Sequence, residues 1–503
     1  MLFNFLEVEG VFKITLNSFV NSEEENIPQT TNKLSFYAYL VEKGYYFDKK
    51  VIENYLLSLK VKPFVIFVGN SGTGKTKLSQ LYAQYLLKNR NCESSDIITS
   101  VKVGKSFSSG GWSLSSKDIQ ELVPSDKYEG DLKIVVDGIP ANGKLNVNTR
   151  IFFKSNSLQN HLKELYDEDP NQKIDLVIKQ DNDNQDNGEF DGFNYKIIPI
   201  GANWTENRHI LGYYNVITES YQSTPAFDLI KHAQKNKNDP FFLILDEMNM
   251  SHVERYFADF LSAIESGDSI PLYSDENNVY ELDIPKNLLI VGTVNVDETT
   301  YMFSPKVLDR ANVLEFEALS VNDYMNFNFD NDYSFKDMDY LLNPLNDIEI
   351  RNYSILDLMN EFNGVKTENN NNLWIVLSNE LELFQNVLKK VGFDFGFRVI
   401  NEILKFMLVA WRYEGSPNVW DNWERYFDAQ IKQKMLPKLH GSEKAIGSTI
   451  EELFNLCLVE RNNNEQVKYY NLSEYSVRYL ESAIKLQKMA NTLSNQRYVS
   501  FIN

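Results

Sequence analysis

Residues 63–89 read PFVIFVGNSGTGKTKLSQLYAQYLLKN, and the two changes of character inside this stretch decide the fold. PFVIFV is a short apolar run without polar alternation, as expected of a strand buried on both faces. Glycines then break the run, and behind them Leu78, Leu81, Tyr82, Tyr85 and Leu86 recur at i, i+3, i+4, i+7 and i+8, which is one face of a helix. Strand, glycine loop and helix in that order are the first half of a βαβ unit. The expected fold class is therefore α/β, a parallel sheet with flanking helices.

The loop itself, GNSGTGKT from Gly69 to Thr76, satisfies G-x-x-x-x-G-K-[ST] in the context that gives the pattern its meaning. Gly69, Gly72 and Gly74 allow the amides around Asn70, Ser71 and Thr73 to curl about an anion, and the helix N-terminus adds its partial positive charge. Lys75 would reach the β- and γ-phosphates of a nucleotide, and the Thr76 hydroxyl would hold Mg2+. The bland alternative, a glycine-rich turn that binds nothing, does not require strand, loop and helix to follow in this order.

A second apolar strand, LILDEMN at 243–249, ends in adjacent carboxylates. Alone, such a pair more often caps a helix N-terminus. Downstream of a phosphate loop, Asp246 suits the shared Mg2+ and Glu247 suits polarising an attacking water. A third strand, NLLIVGTVN at 287–295, closes on Asn295, placed to position that water or sense the γ-phosphate, and Arg310 in SPKVLDRANVLEF is placed to take up transition-state charge. The acids after the third strand, Asp297 and Glu298 in GTVNVDETT, are expected to organise the following turn or a subunit contact.

The bulk properties narrow the setting. A chain of 503 residues exceeds one ordinary core and suggests about three domains, or one domain with large insertions. Cys92 and Cys457 are its only cysteines, so a disulfide framework or a thiolate zinc site within the chain is excluded. The net charge of −20 argues against nonspecific coating of nucleic acid, while leaving room for a local basic face or a ring pore. No apolar run approaches the roughly 20 residues that cross a bilayer, and MLFNFLEVEGVFKITL lacks a secretory pattern. A cytoplasmic protein without a membrane partner is expected.

Along the chain, 1–60 is a small N-terminal segment with a helical pattern in KKVIENYLLSLK. Residues 61–105 and 197–320 carry the α/β core in two parts, and 106–196 is an inserted α+β module. From 321 to 503 the pattern is mostly helical, broken by loops such as TENNNN. VERYFADFLSAIESG predicts one helix with Val253, Tyr256, Phe257, Phe260, Leu261 and Ile264 on one face and a stop at Gly267. The polar run DNDNQDNGEFDG within the insert is a solvated loop: counted from Asp183 as a calcium loop, its third position is Gln185 and its twelfth Asn194. Trp112, Phe152 and Phe153 read as strand core, and the carboxylates around YEGDLKIVVDG do not form a nuclease site.

Four stretches together resemble an AAA+ ATPase, and more narrowly the McrB-type subunits of modification-dependent restriction systems. They are GANWTENRHILGYYNVITESYQSTPAF, LDEMNMSHVERYF, GTVNVDETTYMFSPKVLDRA, and FGFRVINEILKFM with LPKLHG. The resemblance covers most of 61–503 outside the insert. It implies an AAA+ P-loop NTPase core with a helical lid, Mg2+ as cofactor, ATP or GTP as substrate, and a homo-oligomeric, usually hexameric ring. It further implies an McrC-like nuclease subunit as partner and DNA as the track. Asn295 matches the asparagine of the family's MNxxD signature, with Val294 in place of methionine and Glu298 at the aspartate. Arg310 would act in trans on a neighbour's nucleotide, and Arg398 in FGFRV is similar to a sensor 2 arginine. Many relatives carry DEINRA where this chain has Met250 after Asn249, with Arg255 the next arginine. The other classes sharing this motif order are protein remodellers similar to MoxR or dynein-related ATPases, and nucleotide-gated scaffolds.

Overall fold

The computed structural model describes residues 35–90, 194–274, 278–296, 301–317, 338–460, 472 and 475–502, together with the strands at 97–102, 112–115, 131–136, 139–146, 150–153 and 173–178. Five strands form a fully parallel sheet: β1 (Phe64–Gly69), β2 (Tyr195–Pro199), β3 (Phe241–Asp246), β4 (Leu288–Asn295) and β5 (Asn312–Phe316). Their spatial order is 5-1-4-3-2, with β1 bonded to β4 on one side and β5 on the other. Neither neighbour of β1 is adjacent to it in sequence. The chain must leave the carboxyl end of β1 and return elsewhere, which opens a crevice at that end, where open α/β sheets take ligands.

The apolar runs become strands because helices cover both faces of the sheet. Phe67 points to one face, where its ring lies 4.8 Å from Tyr55 of α2 (Lys49–Val61), the helix that follows α1 (Phe36–Glu42), and 4.6 Å from Phe316. Tyr82 of α3 (Lys75–Arg90) joins this aromatic layer, 5.6 Å from Tyr55 and 5.4 Å from Phe242. Phe64, of opposite parity, meets Phe257 at 5.5 Å on the other face. All six residues of β1 are buried, as the unbroken apolar run requires.

The helical expectations hold with one change. Leu78, Leu81, Tyr82 and Tyr85 are buried, as is the face of KKVIENYLLSLK that forms α2. VERYFADFLSAIESG is not one helix but two, Val253–Tyr256 and α5 (Ala258–Ser266), parted at Phe257, whose backbone leaves helical values at φ −112° and ψ 8°. Phe257 nevertheless remains buried, so the apolar face survives the break, and Gly267 ends α5 with φ +75°. Between β3 and the other elements, α4 (Pro225–Lys235) packs beside β2 and β3.

The insert forms its own six-stranded antiparallel sheet in the order 97–102, 173–178, 131–136, 139–146, 150–153, 112–115. Its first strand, Ile97–Lys102, begins before residue 106. The run DNDNQDNGEFDG and the acids Asp297 and Glu298 lie outside the described residues.

The C-terminal part is helical: α6 (Leu373–Lys389), α7 (Phe397–Tyr413), α8 (Trp423–Gln430), α9 (Glu443–Leu456) and α10 (Leu480–Gln496). A π-turn over Ile431–Met435 follows α8. Buried cations dock this region on the core. Arg351 donates to the carbonyls of Leu59, Lys60 and Lys286, capping the end of α2, and Lys60 in turn donates to the carbonyls of Asn343 and Asn346. Each buried ammonium or guanidinium here meets carbonyl oxygens, the condition under which burying a cation is tolerable.

Candidate functional site

The phosphate-loop residues fall where β1 ends and α3 begins. Gly72 and Gly74 have φ of +81° and +85°, a left-handed conformation that side chains disfavour. A Cβ on Gly74 would also stand 2.8 Å from the Phe47 ring. Asn70 and Ser71 are exposed at the loop's tip, and the Thr73 hydroxyl donates to the Asn70 carbonyl at 2.9 Å. Lys75 is buried, and its ammonium spans the loop, donating to the carbonyls of Gly69 at 2.8 Å and Asn70 at 2.6 Å. Burial pushes its pKa down to about 8, while the carboxylates of Asp246 and Glu247 work to hold it up.

A chain of side-chain bonds then crosses three neighbouring strand ends. The Thr76 hydroxyl donates to Asp246 Oδ1 at 2.6 Å, and the Thr293 hydroxyl donates to the same oxygen at 2.7 Å. Thr293 also accepts the backbone N–H of Glu247 at 3.1 Å, and Asn295 Nδ2 donates to Glu247 Oε1 at 2.7 Å. Asn249 completes the corner by donating to the Asn295 carbonyl at 3.3 Å. Parallel pairing explains the convergence. Register sets Gly69 beside Asn295, and Leu245 beside Gly292, so each strand delivers its last polar residue to one edge.

Glu247 has φ +52° and ψ +51°, a left-handed conformation costing on the order of 1–3 kcal/mol for a residue with a side chain. This turn separates two consecutive carboxylates. Asp246 points back to the two threonine hydroxyls and Glu247 points to Asn295. The Asp246 carboxylate with the Thr76 hydroxyl is a hard-oxygen pair suited to Mg2+, an ion that usually keeps its waters and phosphate oxygens and needs only one or two protein ligands. Among the described residues no group of three or more His, Cys, Asp or Glu forms a metal cage. Glu247, one residue beyond and tethered by Asn295, can accept a proton from a water held at the corner.

Thr293 was not among the residues singled out from sequence. Its signal was present, since it is the one hydroxyl in the buried run LLIVGTV, and it is 2% exposed. Gly292 beside it has a packing reason: a Cβ there would lie 2.5 Å from the Met248 sulfur.

The two arginines do not join this corner. Arg310, just past the short helix Pro305–Leu308, donates to the Glu265 carboxylate of α5, and Arg398, at the start of α7, donates to the same carboxylate. Around them lies a buried ionic cluster. Glu402 pairs with Lys62 and, at 2.6 Å, with Lys434; Lys434 donates to the Ala311 carbonyl at 2.8 Å, and Lys438 pairs with the Asp309 carboxylate at 2.5 Å. Burial pushes the Glu402 carboxyl up, and the ammoniums of Lys434 and Lys62 more than reverse this, holding it below the usual range. Nothing in the sequence pattern joins these residues, which stand far apart in the chain.

Against known families, the chain matches a family described as Domain of unknown function (DUF8727) over residues 349–498. That segment is under a third of the chain and contains Arg351, Arg398, Glu402, Lys434 and Lys438, the residues that dock the helical region on the core. No curated protein matches the chain at significant similarity.

Proposed function

We propose that this chain is a Mg2+-dependent nucleoside triphosphatase of the AAA+ class that acts as a motor subunit similar to the McrB type of DNA restriction systems. The observation that carries the reading is the continuous bond chain Thr76–Asp246–Thr293–Glu247–Asn295 at the carboxyl ends of strands ordered 5-1-4-3-2. In this reading the loop amides and Lys75 bind the phosphates of ATP or GTP. Thr76 and Asp246 hold Mg2+, which offsets phosphate charge. Glu247 takes the proton of the attacking water, and Asn295 keeps that carboxylate aimed. Arg310 lies away from this corner and pairs with Glu265, which fits a ring in which an arginine serves a neighbouring copy's nucleotide, and Arg398 is similar to a sensor 2 arginine. Hexameric assembly, an McrC-like nuclease partner and DNA as the track belong to the same proposal, as does a cytoplasmic location.

The test is a hydrolysis assay with ATP and GTP in parallel, with and without double-stranded DNA. Turnover stimulated by DNA supports the motor. Turnover indifferent to DNA but stimulated by a protein supports a remodeller instead, and nucleotide binding without turnover supports a scaffold.

A further inference from the structure

Arg310 and Arg398 come from elements remote in sequence, yet both guanidiniums close on the single carboxylate of Glu265, 45 residues from the first and 133 from the second. Two guanidiniums converging on one anion is the geometry by which arginines hold a phosphate. The backbones beneath them are fixed. Lys62 and Lys434 donate to the Asp309 carbonyl, Lys434 donates to the Ala311 carbonyl, and Glu402, one turn along α7 from Arg398, is gripped by both lysines. The side chains are not fixed in the same way. The Arg398 side chain is 45% exposed, those of Arg310 and Glu265 are 21% and 26% exposed, and Phe397 beside Arg398 is a large apolar residue 87% exposed. Ion pairs that water still reaches in this way can exchange for a more highly charged anion.

We propose that Glu265 is a positioning residue that stands in for the terminal phosphate of a neighbouring copy's nucleotide. It holds Arg310 and Arg398 together in the lone chain and yields them by side-chain rotation when a second copy presents its triphosphate. This rests on the triphosphatase reading and adds a function to it: a built-in competitor that ties hydrolysis to assembly. Because the competitor is one carboxylate, removing its charge lowers the threshold for assembly-dependent turnover without touching the phosphate loop.

The experiment measures turnover per chain across a range of full-length protein concentrations, for the wild type and for Glu265→Gln, Glu265→Asp and Arg310→Ala. A fluorescent triphosphate analogue reports binding at the phosphate loop for each. Glu265→Gln is expected to reach half-maximal turnover at about three- to tenfold lower protein concentration, the range set by loss of a surface ion pair shared between two arginines. Glu265→Asp, which keeps the charge, is expected to stay with the wild type, and Arg310→Ala to lose turnover while binding the analogue. An unchanged concentration dependence in Glu265→Gln, with Arg310→Ala inactive, overturns the proposal and leaves the triphosphatase reading standing. So does a uniform fall in Glu265→Gln turnover at every concentration, which would make Glu265 a support for the arginines. No wild-type turnover at any concentration overturns the triphosphatase reading itself.

Discussion

The protein has two polar corners built on opposite principles. The phosphate-loop corner is made of residues that end consecutive motifs: parallel pairing brings Asp246, Thr293 and Asn295 to one edge, and the loop into α3 sets Thr76 against them. The arginine corner draws on α5, the turn before β5 and the start of α7, and is held by a cluster of buried lysines around Glu402. The first is set by strand register together with the loop that leads into α3. The second exists only once the helical region has docked. In the proposed reading, the site that must stay rigid sits on the sheet and the one that would respond to a second copy sits across a docking surface.

Four substitutions separate the corners. Glu247→Gln removes the proton acceptor but keeps an acceptor oxygen for Asn295, so turnover should fall by roughly 10²–10⁴ while nucleotide binding persists. Steady-state turnover beside an equilibrium binding titration checks this, and loss of binding would mean the corner is not pre-organised by the sheet. Glu402→Gln should act on the other side of the comparison. It leaves two buried ammoniums poorly paired and should cost about 3 kcal/mol of stability, read as a lower urea midpoint.

The same residue fixes a pH signature. Its folded carboxyl titrates below the ordinary 4.5, so its contribution is complete above that value and lost as the pH falls through the folded one. Glu402→Gln should therefore flatten the acid limb of the stability curve between about pH 5 and the folded value. An unchanged limb would show that the buried cluster does not stabilise the docked helices.

Lys75→Ala should weaken triphosphate binding by roughly 10- to 100-fold, the range for losing charge-assisted bonds, with the fold kept. The smallest effect is expected at Thr293→Val, which preserves shape and removes only the hydroxyl that braces Asp246 and the Glu247 amide. About a tenfold rise in the Mg2+ concentration for half-maximal turnover is expected, with Thr293→Ser near the wild type. No response to Thr293→Val would place the brace in Thr76 alone.

How far the sequence carries can be followed residue by residue. PFVIFVGNSGTGKT, LILDEMN and NLLIVGTVN mark three of the five sheet strands and their polar ends, because a strand buried on both faces has no polar residue until it stops. Thr293 was legible as the exception to that rule, yet its partners were not, since register is set by pairing across the sheet. The break at Phe257 was hidden because the apolar periodicity continues through it. The sequence by itself therefore determined the α/β sheet, the phosphate loop with the polar strand ends around it, and the burial of α2 and α3, all consequences of local periodicity and motif order. Tertiary structure alone decided that Glu247 turns away from Asp246, that Glu265 gathers Arg310 and Arg398, and that Lys62 and Lys434 meet on Glu402. The physical reason is common to all three. Ion pairs and strained turns depend on where unrelated segments come to rest, and charge has no periodicity in the chain that announces its partner.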